Sequence, residues 1–167
     1  MTRVAAVVLA AGEATRFGAP KQRILLPAVL ERLDRTSVDE VVIVEGAHSL
    51  ESQSGRVVPC EDWAHGPGAS LRCGLAALGE DVEAAVVVLA DGPGLAPEAV
   101  ERVLATWRER GGLVAASYDG ARGHPLVVGR ADWSDIPDEG LRDRAVLLVP
   151  CDDLGPPGDV DTPEDLP

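Results

Sequence analysis

Residues 3–12 read RVAAVVLAAG, an apolar run after Arg3 that passes straight into a glycine with no polar alternation. A strand exposed on one face alternates; one covered on both faces does not. The run therefore predicts a parallel strand in the interior of an α/β sheet. AAVVVLAD at 84–91 repeats the pattern, and EVVIVEG at 40–46 and GGLVAASY at 111–118 repeat it more weakly. Helical stretches separate them. PAVLERLDR at 27–35 has Pro27 suited to a first turn, and SLRCGLAALG at 70–79 places Leu71, Leu75 and Leu78 on one face. APEAVERVLATWRERGG at 96–112 is stopped by its paired glycines. Strand and helix in alternation predict one domain over residues 1–167, with a mostly parallel sheet and helices on both faces. The Pro-, Gly- and Asp-rich segment 132–159 reads as surface structure around one further strand, AVLLVP at 145–150.

Composition narrows the partners. The chain carries 28 acidic residues against 15 Lys and Arg, a formal net charge of -13, which disfavours nucleic acid and anionic membrane surfaces. The opening residues carry a single cation, Arg3, and an apolar run that barely reaches a signal peptide's minimum, so they are expected to be the start of the domain, and no apolar run approaches the length of a membrane span. Three cysteines, Cys60, Cys73 and Cys151, with no CxxC spacing predict neither a disulfide framework nor a structural zinc site. They are expected to be small core thiols in a reducing cytoplasm.

In open α/β sheets ligands gather outside the carboxyl ends of the strands, so the residues that follow the first strand and the strand at 84–91 are the first candidates. LAAGEATRFGAPK at 9–21 offers Gly12 and Gly18, where the backbone can approach a ligand, with Arg16 and Lys21 adding charge suited to phosphate. Its spacing is neither that of a Walker A loop nor GxGxxG. Asp91 closes its strand before a Gly-Pro-Gly turn, and an Asx turn competes with a ligand role there. Asp159 and Asp161 stand two apart near the C-terminus, ahead of Thr162-Pro163-Glu164-Asp165, a helix cap and first turn. Magnesium takes one or two protein carboxylates and fills its octahedron with water and phosphate, so Asp91 with Asp161 is the expected metal pair. Ser70, preceded by glycines, is expected to be an N-cap whose helix aims its positive end at the ligand. His124, with Gly123 before it in a turn, is a candidate for an acceptor pocket, although a lone histidine is more often structural.

Taken together, these residues resemble the MobA-like nucleotidyltransferase family, and within it the molybdenum cofactor cytidylyltransferase branch. The family opens with LAAGxSxRxGxxK, matched by LAAGEATRFGAPK. A Trp-bearing segment leading into a Ser-Leu helix is matched by DWAHGPGASLRCGL at 62–75. A strand ending in DQP is matched by ADGPG at 90–94, a GHP turn by RGHPLVV at 122–128, and a closing DxDTPEDL by DVDTPEDL at 159–166. Ala14 stands in place of the usual serine and Gly92 in place of the usual glutamine, and the stretch 21–41 is short and lacks a customary glycine.

The resemblance implies a Rossmann-like three-layer αβα sandwich of the nucleotide-diphospho-sugar transferase type. It implies a nucleoside triphosphate on Leu9, Ala10, Ala11, Gly12, Arg16, Gly18, Lys21 and Ser70, with Arg16, Lys21 and Asp91 catalytic. Mg²⁺ is implied on Asp91 and Asp161, and the acceptor on Gly123 and His124. The implied reaction transfers CMP from CTP to the terminal phosphate of a molybdopterin cofactor and releases pyrophosphate, with transient contact to a molybdoenzyme. The alternatives are GTP or another phosphorylated acceptor, and a catalytically silent binding protein. An ordinary phosphate monoester is largely dianionic at neutral pH, its second pKa being about 6, so the missing nucleophile and base are consistent with this chemistry.

Overall fold

The computed structural model describes residues 2–12, 21–52, 54–160 and 163–165. In chain order its main elements are β1 (Arg3–Ala10), α1 (Lys21–Asp34), β2 (Glu40–Glu45), β3 (Arg56–Pro59), α2 (Pro67–Ala76), β4 (Val82–Leu89), α3 (Pro97–Arg110), β5 (Leu113–Tyr118), β6 (Ala121–Gly129) and β7 (Leu147–Pro150). The strands form one seven-stranded sheet in the order β3-β2-β1-β4-β6-β5-β7. β1 lies parallel to both β2 and β4, and β2 to β3. β6 runs antiparallel between β4 and β5, while β7 lies parallel to β5 at the edge. The sheet is thus mostly parallel, as its apolar runs require.

The two faces hold separate cores. Leu26, Val29 and Leu33 of α1 and Val100, Val103 and Leu104 of α3 cover Val4, Ala6, Val8 and Val86 on one face. Leu71, Leu75 and Leu78 cover Ala5, Val7, Val42 and Val44 on the other, with Ile136 and Leu141 extending that layer. α2 lies so close to the sheet that a Cβ added at Gly74 would stand 2.5 Å from Val7 Cγ1 and 2.9 Å from Val44 Cγ2. Only a glycine permits this approach. α3 ends as its sequence predicts, with Gly111 and Gly112 at φ +69° and +76°.

Several expectations are corrected. Pro27 does not start a helix: α1 begins at Lys21 and carries Pro27 inside it, on the exposed side. Ser70 is not an N-cap. Gly66, at φ 136°, holds that place, Pro67 opens α2, and Ser70 is buried one turn in, its N–H donating to the Gly66 carbonyl. Pro67 sets the first turn, so no side-chain cap defines this end. The cysteines do not all stay thiols: Cys60, just past β3, is disulfide-bonded to Cys73 on α2 with their Cα atoms 5.7 Å apart, and only Cys151 is free and buried. The fold brings together two residues 13 apart in sequence, so the argument for a reducing compartment from unpaired thiols fails. Among the described residues no helix is long and apolar enough to cross a membrane.

Candidate functional site

β1 and β4 are neighbours, yet the chain leaves β1 toward β2 on one side and returns to β4 on the other. This makes their carboxyl ends the topological switch point of the sheet. The Ala90 N–H donates to the Leu9 carbonyl at 3.1 Å and locks the two ends together. Beyond β1, the Ala11 carbonyl accepts from Ala47 N–H at 3.2 Å, and the Gly12 carbonyl from Gln22 Nε2 at 2.9 Å. The backbone from Leu9 to Gly12 is thereby fixed from three directions.

Lys21, the first residue of α1, is buried, and its Nζ donates to the Val160 carbonyl at 2.6 Å and to Asp91 Oδ2 at 3.3 Å. A buried ammonium requires such partners. The other carboxylate oxygen, Asp91 Oδ1, is buried with no hydrogen-bond partner among the described residues. An orphaned anionic oxygen of this kind is costly unless a ligand or cation completes it.

The C-terminal segment reaches this point as a strap across the turn after β4. Val160 N–H donates to the Asp91 carbonyl at 3.1 Å, and Gly94 N–H to the Pro157 carbonyl at 2.9 Å. The fit leaves little room. A Cβ at Gly94 would meet the Pro157 carbonyl oxygen at 2.8 Å, and one at Gly92 would meet Pro157 Cβ at 3.0 Å. Pro157, with the Gly158 carbonyl oxygen at 3.3 Å, thus crowds the space that a side chain at position 92 would need, which gives a physical reason for Gly92. Arg16, Gly18 and Asp161 lie outside the described residues; Val160, the chain neighbour of Asp161, is at the site.

A cleft of about 450 Å³ opens beside Asp91, lined also by Tyr118, Arg122, Gly123, His124 and Asp159. His124 sits on β6 itself, before a cis bond to Pro125, and not in a turn ahead of it. Its imidazole is pushed down to about 4, chiefly by burial and then by the Arg122 charge, against the opposing pull of Asp91. It is therefore neutral at physiological pH. The Tyr118 hydroxyl donates to the His124 carbonyl at 2.8 Å, and burial pushes its pKa up to about 12. Gly123 has a packing role: a Cβ there would stand 2.9 Å from the Tyr118 ring. Ser70, by contrast, does not line this cleft.

The structure thus brings Lys21, Asp91, Gly123 and His124 to one end of the sheet. Sequence reasoning missed Tyr118, Arg122 and the Pro156–Pro157 strap. Arg122 directly precedes Gly123 and His124 on β6, but nothing in its spacing sets it apart from a solvated arginine.

The profile of the MobA-like NTP transferase domain matches residues 6–148. No curated protein sequence matches the chain. Among solved structures, Rv0371c from Mycobacterium tuberculosis H37Rv is similar at 26% identity and TM-score 0.80, over 98% of this chain and 95% of that one. An Rv0371c homolog from Mycobacterium sp. strain JC1 is 28% identical at TM-score 0.80, over 98% and 92%. A nucleotidyl transferase from Methanothermobacter shares the fold at TM-score 0.74 and 18% identity, over 99% and 94%. With the family profile spanning all but the two ends of the sheet-forming chain, this protein belongs to the MobA-like NTP transferase domain family and is built as a nucleotidyltransferase.

Proposed function

We propose that this chain transfers CMP from CTP to the terminal phosphate of a molybdopterin-like acceptor in a Mg²⁺-dependent reaction. The observation that carries the reading is the buried Lys21–Asp91 pair at the switch point, with Asp91 Oδ1 left without a partner among the described residues. Carboxylate oxygens suit Mg²⁺, and the orphaned oxygen fits it; Asp91 and Asp161 would hold the ion. When bound, it would neutralise charge on the triphosphate. Lys21 holds the Asp91 carboxylate in place, and with Arg16 would supply cationic contacts to the phosphates. The acceptor phosphate is already anionic, so the site needs to position and stabilise rather than abstract a proton. His124, neutral at pH 7, serves as a hydrogen-bonding group at the acceptor.

A thermal-shift series with the four nucleoside triphosphates, with and without Mg²⁺, tests the donor. CTP should give the largest shift and require the metal; a larger shift with GTP would replace the donor. The glycine at position 92, hemmed in by Pro157, supports a second reading in which the protein binds nucleotide without turning it over. Pyrophosphate release in the presence of molybdopterin separates the two.

A further inference from the structure

We propose that Arg122 is the anion anchor of the cleft beside Asp91, gripping a phosphate group of the acceptor through its Nε and Nη2 edge. The inference rests on the reading of that cleft as the acceptor site and adds the residue that selects a phosphorylated acceptor.

Arg122 and His124 are two apart on β6, in the stretch where its register with β5 shifts. Both line the cleft. Among the described lining side chains, Arg122 is the one that carries positive charge at neutral pH, since the His124 imidazole is neutral there. Two carboxylates, Asp91 and Asp159, share the lining. Asp91 is already paired with Lys21.

The guanidinium is held on one side only. Its Nη1 donates to the carbonyls of Arg144 at 3.2 Å and Arg142 at 3.5 Å. Among the described residues neither Nε nor Nη2 makes a hydrogen bond, and no carboxylate pairs with the group. That remaining edge presents two parallel N–H donors, the fork that matches two oxygens of a phosphate. Other arginines of this chain show what a structural role looks like. Arg102 closes on both oxygens of Asp153 at 2.8 and 3.0 Å, and Arg72 meets Asp138 at 2.6 Å. Arg130 and Arg144 are held by carbonyls alone but bond through two nitrogens, whereas Arg122 is partly buried, which lowers its pKa, with only Nη1 bonded and no carboxylate partner among the described residues. An incoming dianion would supply a counter-ion.

The probe is phenyl phosphate, titrated into nucleotide-free and metal-free protein while the His124 Cε1–H resonance is followed by NMR. Saturable shifts are expected with phenyl phosphate and none with phenol. Arg122→Gln should weaken binding at least about tenfold, the usual worth of a charge-assisted contact, and Arg122→Lys should restore part of it. Unfolding curves matching wild type establish that both variants are folded. If Arg122→Gln does not fold, Arg122→Lys alone decides, because a lysine keeps the charge but loses the fork and should bind several-fold more weakly. Binding by wild type that Arg122→Gln leaves unchanged, equal binding of phenol, or no binding of phenyl phosphate would overturn the assignment. In turnover, Arg122→Gln should raise KM for the acceptor and leave KM for the nucleotide alone. The outcome is separable from the transferase reading. A protein stabilised by CTP and Mg²⁺ but indifferent to Arg122 loses only the anchor. One that binds phenyl phosphate through Arg122 but no nucleotide loses only the transfer.

Discussion

At the seam between β3 and α2, bonding groups are closed off. Cys60 and Cys73 are covalently joined, Arg56 donates to the Ala77 carbonyl at 2.6 Å, and Arg72 pairs with Asp138 while also donating to the Ile136 carbonyl. Gly74 lets the helix lie directly on Val7 and Val44. At the carboxyl ends of β1 and β4 the opposite holds. Among the described residues, Asp91 keeps a buried oxygen with no partner, and the partly buried Arg122 makes hydrogen bonds through Nη1 alone. A fold tolerates unsatisfied polar groups where a ligand completes them. The seam is thus a clamp, and the switch point is, on the proposed reading, a site held ready at a cost in stability.

The strongest way to break this contrast is to change the orphaned carboxylate. Asp91→Asn keeps the volume and loses the charge, and should lower kcat by about 10²–10³-fold while the fold survives, the range found for removal of a group that stabilises charge in a transition state. Pyrophosphate release measures it, and near-normal turnover would remove Asp91 from the mechanism. Lys21→Met strikes the same pair from the other side. It leaves a carboxylate buried without its cation, so stability in denaturant should fall by about 3 kcal/mol and KM for nucleotide should rise. Unchanged stability and unchanged KM together would mean that the pair is incidental.

The seam gives the complementary prediction. Replacing Cys60 and Cys73 together by Ala should cost about 2–3 kcal/mol, as expected for a short disulfide loop, and leave nucleotide affinity untouched. A loss of nucleotide binding in the folded double variant would show that the clamp and the site are one unit.

The division between clamp and site also explains what could be read from sequence. β1 was legible because it is buried on both faces, so its apolar run has one structural meaning. β3 was not, because four partly exposed residues at a sheet edge carry no pattern. Ser70 misled because hydroxyl-bearing residues favour caps in general, whereas here the backbone of Gly66 and the ring of Pro67 do that work. The Cys60–Cys73 bond depends on how β3 and α2 dock, which no local spacing encodes. Lys21 and Asp91 stood out because the sheet rule singles out residues just past strand ends. Arg122 did not, since an arginine beside a turn reads as solvated until the cleft around it is seen.

The smallest effect sharpens the contrast through pH. In the unfolded chain His124 takes up a proton near its ordinary value of 6.5, whereas in the folded protein burial and the Arg122 charge hold it down to about 4. Between those values the unfolded state binds more protons, so this residue's contribution is intact above pH 6.5 and is lost as pH falls toward 4. Because the imidazole lines an open cleft and is only partly buried, the loss should be on the order of 1 kcal/mol and not the full value of the shift. Denaturant curves of metal-free protein at pH 7 and pH 4.5 give the change, and His124→Asn should shrink it by that amount. Were the variant as acid-sensitive as the wild type, the fall would have to come from carboxylates elsewhere, and burial beside the Arg122 charge would not be what holds the His124 imidazole neutral.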